Sequence, residues 1–249
     1  MLRFRKALKF NQLAIREVEL LAELDHPNIV ELEGFVEDAP KSMIWLVFHW
    51  AYHGDLKEFV GSVDWEIPER IFLIHDVAQG LAYLHSREPP ICHGDLKSLN
   101  VLVDWRCCAR ITDFGSAHPF CASTTTITLT GNKYTLRWAA PELLLEDQLS
   151  LWSDIWALGW IAYEVMTESL PFEDVTSDIV VVERVLGGKL PSLIDNAHLS
   201  LIHELCSLMN MCWKSNPTER PTAISCRESM KQMVRERGSV RIETQLTFC

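Results

Sequence analysis

Apolar residues between positions 12 and 24 recur at the spacing of an amphipathic helix, and Asn11 is a candidate N-cap for it. Most polar side chains of this segment fall on one arc, but Glu17 falls among the apolar ones. A carboxylate in that position needs a cationic partner or a shifted pKa, unless it lies at the edge of the helix and reaches solvent. The helical pattern alone leaves both interpretations open.

Further along, the pattern changes from β-rich to helical. Residues 29–36 and 43–50 are β-rich runs on either side of a polar turn, which predicts a hairpin. A long helix is predicted to begin at Pro68 and to end near Ser86. The pattern therefore predicts a small β-plus-helix portion followed by a larger helical portion, joined near residues 50–54.

The chain is predicted to be mostly helical from Ser150 onward. Ser153 is the predicted N-cap of a helix that runs through Met166. This helix is apolar nearly all round, which indicates that it is buried. Because its apolar run is short and contains Asp154 and Glu164, we do not expect it to span a membrane.

Composition narrows the possible classes of function. The 249 residues include 34 acidic and 23 basic side chains, and with a net charge of −11 we expect no general nucleic-acid-binding face. The eight cysteines form no Cys-x-x-Cys pair, so a structural zinc site is not expected either. Free thiols are typical of a reducing compartment, and we expect a cytoplasmic location. The oligomeric state is left unknown by the sequence.

Candidate chemistry is concentrated between residues 91 and 115. Asp95, Lys97 and Asn100 lie on a short polar segment before an apolar run, and Asp113 follows the next apolar run. A hairpin of the two runs would bring Asn100 and Asp113 together, and oxygen ligands of this kind suit Mg²⁺. Asp95 could accept a proton from a substrate hydroxyl, and Lys97 could neutralise charge on a transferring phosphoryl group.

Five motifs follow one another along the chain: His93–Asn100, Asp113-Phe114-Gly115, Ala140-Pro141-Glu142, Asp154-x-Trp156-x-x-Gly159 and Cys212–Pro221. In this order they resemble the catalytic loop, the magnesium-binding motif, the end of the activation segment, the buried helix and the late motif of the eukaryotic protein kinase catalytic domain, most closely in its tyrosine-kinase-like group. The resemblance runs from about residue 12 to about residue 235. His93-Gly94-Asp95 also resembles small-molecule phosphotransferases, but the last three motifs are typical of protein kinases.

The resemblance implies a bilobal α+β fold with a truncated small β lobe and a complete, mainly helical large lobe. Residues 1–52 would form the partial small lobe, residues 53–237 the large lobe, and residues 238–249 a short tail. The implied activity is transfer of the γ-phosphoryl group of ATP to serine or threonine hydroxyls of protein substrates, with Mg²⁺ as cofactor. Tyrosine is left open as a further acceptor.

The resemblance also implies roles for individual residues. Asp95 would orient or deprotonate the acceptor, Lys97 would stabilise the transferred group, and Asn100 and Asp113 would hold Mg²⁺. Around ATP the implied residues are the lysine-pairing Glu17, the gatekeeper Phe48, the hinge residues His49 and Ala51, and Leu102 beneath the base. Two structural features are also implied, namely a threonine that positions the catalytic aspartate, Thr135, and a buried ion pair, Glu142 with Arg220.

Two features of the family are not found in the sequence. There is no Gly-x-Gly-x-x-Gly loop, and no Val-Ala-x-Lys strand precedes Glu17. Lys9 is too close to Glu17, and Lys6 is within reach but lacks the strand pattern, so the ATP lysine is predicted to be missing. The chain would then be part of a longer kinase, a natural truncation that retains some nucleotide binding, or a pseudokinase that acts as an interaction module.

A third departure concerns regulation. Gly94 replaces the arginine that usually precedes the catalytic aspartate, so a phosphorylated activation loop would lack that partner. Residues 116–135 are nonetheless rich in hydroxyl groups, which fits either regulation by phosphorylation or a polar mobile loop.

Overall fold

The structure is a computed structural model that describes residues 3–9, 12–120, 135–146, 148–193 and 202–237. The expectations for Asn11, for most of the hydroxyl-rich segment and for the tail concern residues outside these ranges. The described chain forms a small lobe, with a β-sheet and one helix, and a larger lobe that is mainly helical. The predicted bilobal α+β fold class is confirmed.

The small lobe contains a three-stranded antiparallel sheet with the order β1–β3–β2. Its strands are β1 (Arg3–Lys9), β2 (Leu32–Asp38) and β3 (Met43–His49). β2 and β3 form the predicted hairpin, with a register shift between Leu32 and Gly34. β1 pairs with the other edge of β3 along its whole length and sets Lys6 opposite Leu46.

One helix, α1 (Gln12–Glu23), completes the small lobe and confirms the predicted amphipathic helix. Its buried residues are Ala14, Glu17 and Leu21, which recur at helical spacing and therefore share one face. Glu17 thus lies on the buried face of α1 rather than at a solvent-exposed edge.

The large lobe contains seven helices and four short strands among the described residues. The helices are α2 (Leu56–Val60), α3 (Ile67–His85), α4 (Pro141–Glu146), α5 (Leu151–Thr167), α6 (Asp178–Leu186), α7 (His203–Cys212) and α8 (Ala223–Arg237). The strands are β4 (Ile91–Cys92), β5 (Val101–Val103), β6 (Ala109–Ile111) and β7 (His118–Pro119). β4 pairs with β7 and β5 pairs with β6, both antiparallel.

Helix α5 lies in the core of the large lobe, as its apolar pattern predicts, and buries both Trp156 and Trp160. The predicted N-cap, Ser153, is wrong, because the cap is Ser150. Ser150 Oγ accepts the Ser153 N–H at 3.3 Å, and Ser153 Oγ accepts the Ser150 N–H at 3.0 Å. Each serine hydroxyl thus accepts a hydrogen bond from the backbone N–H of the other serine. No helix in the described ranges combines the length and hydrophobicity needed to cross a bilayer.

Candidate functional site

Three charged side chains meet where the small lobe faces the large lobe. Lys6 Nζ on β1 lies 2.6 Å from Glu17 Oε1 on α1 and 2.7 Å from Asp113 Oδ1. The Glu17 side chain is 3% exposed, whereas that of Lys6 is 28% exposed and that of Asp113 is 43% exposed. The Glu17 end of the cluster is therefore closed to solvent, while the Asp113 carboxylate is exposed enough to contact a ligand.

The pKa values of these groups reflect both burial and pairing. Burial alone would lower the pKa of Lys6, but the neighbouring Glu17 and Asp113 outweigh it and raise that pKa above its ordinary value. Burial would raise the pKa of Asp113, but the hydrogen bond and charge of Lys6 hold it below its ordinary value. For Glu17, burial dominates and raises the pKa, and Lys6 offsets only part of that effect.

The prediction that no lysine pairs with Glu17 is wrong. Lys6 is carried by a strand, since β1 uses the free edge of β3, and this places its side chain against α1. A weak signal for this strand is present in the sequence. Phe4, Leu8 and Phe10 fall on alternate positions, with Arg3, Arg5 and Lys9 between them. In the structure Lys6 and Leu8 are partly buried while Ala7 and Lys9 are exposed, as this alternation would give.

The β5–β6 hairpin brings Asn100 and Asp113 to the same end of the two strands, as predicted. Val101 pairs with Ile111, and the N–H of Thr112 donates to the carbonyl oxygen of Asn100 at 2.9 Å. Asp113 follows at once in the left-handed backbone region, with φ of 63°. Its carboxylate therefore projects toward Lys6 from a turn that the hairpin holds in place.

Both carboxylate oxygens of Asp95 accept hydrogen bonds. Oδ1 accepts from the N–H and Oγ1 of Thr135, at 3.0 and 2.9 Å. Oδ2 accepts from Lys97 Nζ at 2.7 Å and from Asn100 Nδ2 at 3.1 Å. Lys97 Nζ also donates to Thr135 Oγ1 at 2.6 Å. The Asp95 and Lys97 side chains are each 16% exposed, so the carboxylate is fixed but still accessible.

Asp154 on α5 holds the backbone just before Asp95 in place through hydrogen bonds. Asp154 accepts the N–H groups of His93 and Gly94 at 2.8 and 2.9 Å and contacts His85 Nε2 at 3.0 Å. Burial would raise the pKa of Asp154, but these hydrogen bonds, led by that of His85, outweigh it and lower the pKa. Gly94 has φ of 79°, a conformation that glycine adopts without strain.

Comparison with known proteins identifies this arrangement. The family described as protein kinase domain matches residues 2–233 of the chain. The chain belongs to this family. All five motifs found in the sequence lie within the matched residues.

Curated relatives of this kinase domain include proteins named as serine/threonine kinases and as tyrosine kinases. The chain is 30% identical over 241 residues to probable serine/threonine-protein kinase roco6 of Dictyostelium discoideum, covering 88% of the chain and 11% of the relative. It is 29% identical over 225 residues to serine/threonine-protein kinase CTR1 of Arabidopsis thaliana, covering 89% and 26%. It is 29% identical over 252 residues to tyrosine-protein kinase Abl of Drosophila melanogaster, covering 97% and 15%. The chain therefore spans a small part of the length of these relatives.

The adenine-side residues implied by the kinase resemblance gather at and beyond the end of β3. Phe48 is buried in the sheet opposite Leu32. His49 Nδ1 lies 2.6 Å from Glu33 Oε1, which ties the end of β3 to β2. His49, Ala51 and Leu102 line one cavity of about 480 Å³. Three of the four residues expected around the base thus line one cavity, and the fourth, Phe48, is buried in the sheet.

The predicted ion pair between Glu142 and Arg220 is confirmed. Arg220, whose side chain is fully buried, donates through Nη1 and Nη2 to the two Glu142 oxygens at 2.6 and 2.7 Å. It also donates to the carbonyl oxygens of Trp152 and Lys214. This bidentate pair fixes α4, at the end of the activation segment, to the helical core of the kinase domain.

Sequence reasoning missed Glu164, a buried acid on α5 that connects two parts of the site. It accepts hydrogen bonds from the Ser98 hydroxyl in the catalytic loop and from Trp138 Nε1, three residues after Thr135. Burial raises the pKa of Glu164 to about 7. An acid on a helix that is apolar nearly all round is the signal that could have found it.

Proposed function

We propose that this kinase domain transfers the γ-phosphoryl group of ATP to serine or threonine hydroxyls of protein substrates. The observation that carries the proposal is the Asp95 carboxylate, which is fixed by Lys97, Asn100 and Thr135 and yet remains open to solvent. A lysine two positions after this aspartate favours serine or threonine over tyrosine acceptors. Relatives of about equal identity are named as serine/threonine kinases and as a tyrosine kinase, so tyrosine stays open as a further acceptor.

In the proposed reaction, Asp95 orients the acceptor hydroxyl and takes its proton. The hydroxyl oxygen forms a bond to the γ-phosphorus as the bond from phosphorus to the β–γ bridging oxygen breaks. ADP leaves with that electron pair. Lys97, which is held between Asp95 and Thr135, stabilises the negative charge on the transferring group.

The same structure supports a nucleotide position between the two lobes. Lys6 is held by Glu17 and Asp113 with its charge directed toward the opening between the lobes, where it would pair with the ATP phosphates. His49 and Ala51 would offer backbone groups to adenine, Leu102 would pack beneath the base, and Phe48 would close the space behind it.

Asn100 and Asp113 fit a divalent cation, and we propose that they hold Mg²⁺. Asn100 uses Nδ2 for its hydrogen bonds to Asp95, so its Oδ1 is the ligand atom, and the Asp113 carboxylate is partly exposed. One carboxylate and one amide oxygen are a typical protein contribution to Mg²⁺, which takes its remaining ligands from phosphates and water. When bound, the ion would neutralise charge on the phosphates.

A second candidate is an interaction module that does not transfer phosphate. It is favoured by the sheet, since no strand within the described residues pairs with the outer edge of β1, and by the lack of a glycine-rich loop in the sequence. The Lys6 cluster favours the enzyme, because it assembles two acids and a base that a scaffold does not need.

The deciding experiment is phosphate transfer from radiolabelled ATP to a degenerate serine/threonine peptide library in Mg²⁺ buffer. We expect Asp95→Asn to lower the rate about 100-fold or more, while the control Asp64→Asn, which changes an aspartate that is 94% exposed, leaves the rate unchanged. Thermal unfolding of each variant checks folding. No transfer by the wild-type chain, or full transfer by Asp95→Asn, would contradict the proposal.

Nucleotide binding separates the two candidates further. Mg-ATP at about 100 times its dissociation constant should stabilise the wild-type domain by roughly 2.7 kcal/mol, and Asp113→Asn should reduce that gain. An interaction module without a nucleotide site would show no gain in either protein.

Two further assignments belong to the proposal. We divide the chain into a small lobe at residues 1–52, a large lobe at residues 53–237 and a tail at residues 238–249, in line with the observed change from sheet to helices after β3. We also propose a cytoplasmic location, which the buried thiols of Cys92, Cys212 and Cys226 support, since none of the three is in a disulfide.

A further inference from the structure

Arg137 lies in the short turn that directly follows Thr135. Leu136–Trp138 form this 3₁₀ turn, and the N–H of Trp138 donates to the carbonyl oxygen of Thr135 at 3.0 Å. Thr135 in turn donates its N–H and its hydroxyl to Asp95 Oδ1, at 3.0 and 2.9 Å. The position of the turn therefore sets where the two donors of Thr135 meet the Asp95 carboxylate.

The Arg137 guanidinium joins this turn to the loop between α5 and α6. Nη1 donates to the carbonyl oxygens of Pro171 and Phe172, at 2.8 and 2.6 Å. Nη2 donates to the carbonyl oxygen of Val175 at 2.6 Å. A guanidinium is planar and presents its donors in a rigid fork. Three such bonds to one loop therefore leave the group, and the turn that carries it, little freedom to move.

The loop that receives Arg137 is itself held in place. Phe172 is buried and packs against Trp160 on α5, with ring centroids 4.9 Å apart. Its backbone has φ of 52°, and its carbonyl oxygen also accepts the N–H of Val175 at 3.0 Å. A residue other than glycine persists in that conformation only where its surroundings hold it there. The loop is therefore a fixed support for Arg137.

A second anchor holds the same turn from another direction. Trp138 Nε1 donates to Glu164 Oε1 on α5 at 2.6 Å. One anchor fixes the turn at a point but leaves it free to rotate about that point. The hydrogen bonds of Arg137, on the neighbouring residue, remove that rotation, so the two anchors are not interchangeable.

We propose that Arg137 is a positioning residue for phosphoryl transfer, which acts through Thr135 to hold the Asp95 carboxylate toward the acceptor hydroxyl. This inference rests on the proposed kinase function, because it assigns a role in the same reaction. Loss of alignment at the reacting groups lowers kcat. The KM for ATP should not change, because Lys6 and Asp113, which would face the nucleotide, lie on other elements.

The test is a double-mutant cycle in steady-state kinetics, with one peptide selected from the library and saturating Mg-ATP. The cycle compares the wild type, Arg137→Ala, Thr135→Ala and the protein with both changes. The control is Arg184→Ala, which removes a different arginine that pairs with the same loop, from α6 to Asp174 at 2.6 Å. Thermal unfolding with and without Mg-ATP shows whether each protein folds and binds nucleotide.

Arg137→Ala should lower kcat about fivefold and Thr135→Ala about tenfold, with the KM for ATP unchanged in both. The double variant should also lose about tenfold, because residues that act through one another are not additive. Independent effects would instead multiply to about 50-fold. Arg137→Lys keeps a cation that can donate to the same carbonyl oxygens and should recover part of the loss, while Arg184→Ala should keep the wild-type kcat.

Three outcomes would overturn this inference alone: a wild-type kcat in Arg137→Ala, a loss of about 50-fold in the double variant, or an equal loss in Arg184→Ala. A residue that only stabilises the fold would lower the unfolding temperature without showing this coupling to Thr135. Where Arg137→Ala does not fold, Arg137→Lys takes its place in the cycle and the same criterion of additivity applies. No phosphorylation by the folded wild type would overturn the kinase function and this inference with it.

Discussion

Glu164 offers the sharpest test of the electrostatics of this kinase domain. Its carboxylate is buried on α5 and receives the indole N–H of Trp138 at 2.6 Å and the hydroxyl of Ser98. Burial is the largest influence and raises its pKa from the ordinary 4.5 to about 7, despite these hydrogen bonds. The acid thus binds a proton in the folded state at a pH where it is ionised in the unfolded chain.

The sign of the effect on stability follows from this difference. Between the two pKa values the folded state binds more protons than the unfolded state, so the free energy of unfolding falls as the pH rises. With pKa values of 4.5 and about 7, raising the pH from about 5 to about 8 removes about 2–3 kcal/mol of stability through this one residue. The loss ends above the folded-state pKa.

Glu164→Gln removes the titration but keeps an oxygen that accepts from Trp138 Nε1. Ser98 can then turn its hydroxyl to accept from the glutamine amide, since a hydroxyl both donates and accepts. We therefore expect the wild type to lose about 2–3 kcal/mol more than Glu164→Gln between pH 5 and pH 8. Urea unfolding at each pH, with linear extrapolation to water, measures both curves.

The comparison is controlled because every other titrating group is present in both proteins. Glu183→Gln, which changes an exposed glutamate on α6, should follow the wild-type curve. Parallel curves for the wild type and Glu164→Gln would refute the reasoning, because Glu164 would then titrate alike in the folded and unfolded chains.

Three further predictions concern the catalytic loop and its supports. Gly94→Ala should lower the free energy of unfolding by about 1–2 kcal/mol in urea, because φ is 79° there and a Cβ would lie 3.0 Å from the Ser116 carbonyl oxygen. Glu142→Gln should cost about 3–5 kcal/mol by leaving Arg220 buried without its charge partner, and a smaller loss would contradict a tightly coupled pair. Thr135→Ala should lower kcat about tenfold with the KM for ATP unchanged, while Thr135→Ser should restore it, as steady-state kinetics would show.

The parts of the fold and site that the sequence predicted are those encoded by local patterns. The hairpin of β2 and β3 follows from two β-rich runs and a polar turn, and α1 follows from its apolar spacing. The meeting of Asn100 and Asp113 follows from two short apolar runs that pair as a hairpin. In each case the interaction that decides the structure joins residues that are close in the chain.

Contacts between distant segments were harder to predict. Glu164 is 66 residues from Ser98 and 26 from Trp138, and no local pattern links these residues. The N-cap of α5 illustrates a different limit. Ser150 and Ser153 are both good caps, and only their reciprocal hydrogen bonds decide which one begins the helix.

Lys6 shows how two sequence arguments of unequal strength should be weighed. The segment around it has a weak strand pattern, and strand propensity differs among residues by only about 1 kcal/mol. Leaving a buried carboxylate such as Glu17 without a partner costs several kcal/mol. Once Glu17 is placed on the buried face of α1, the larger cost outweighs the smaller preference and favours a cation within reach. Lys6 is that cation, at 2.6 Å, so burial of the acid was the better guide to the strand than the strand's own sequence.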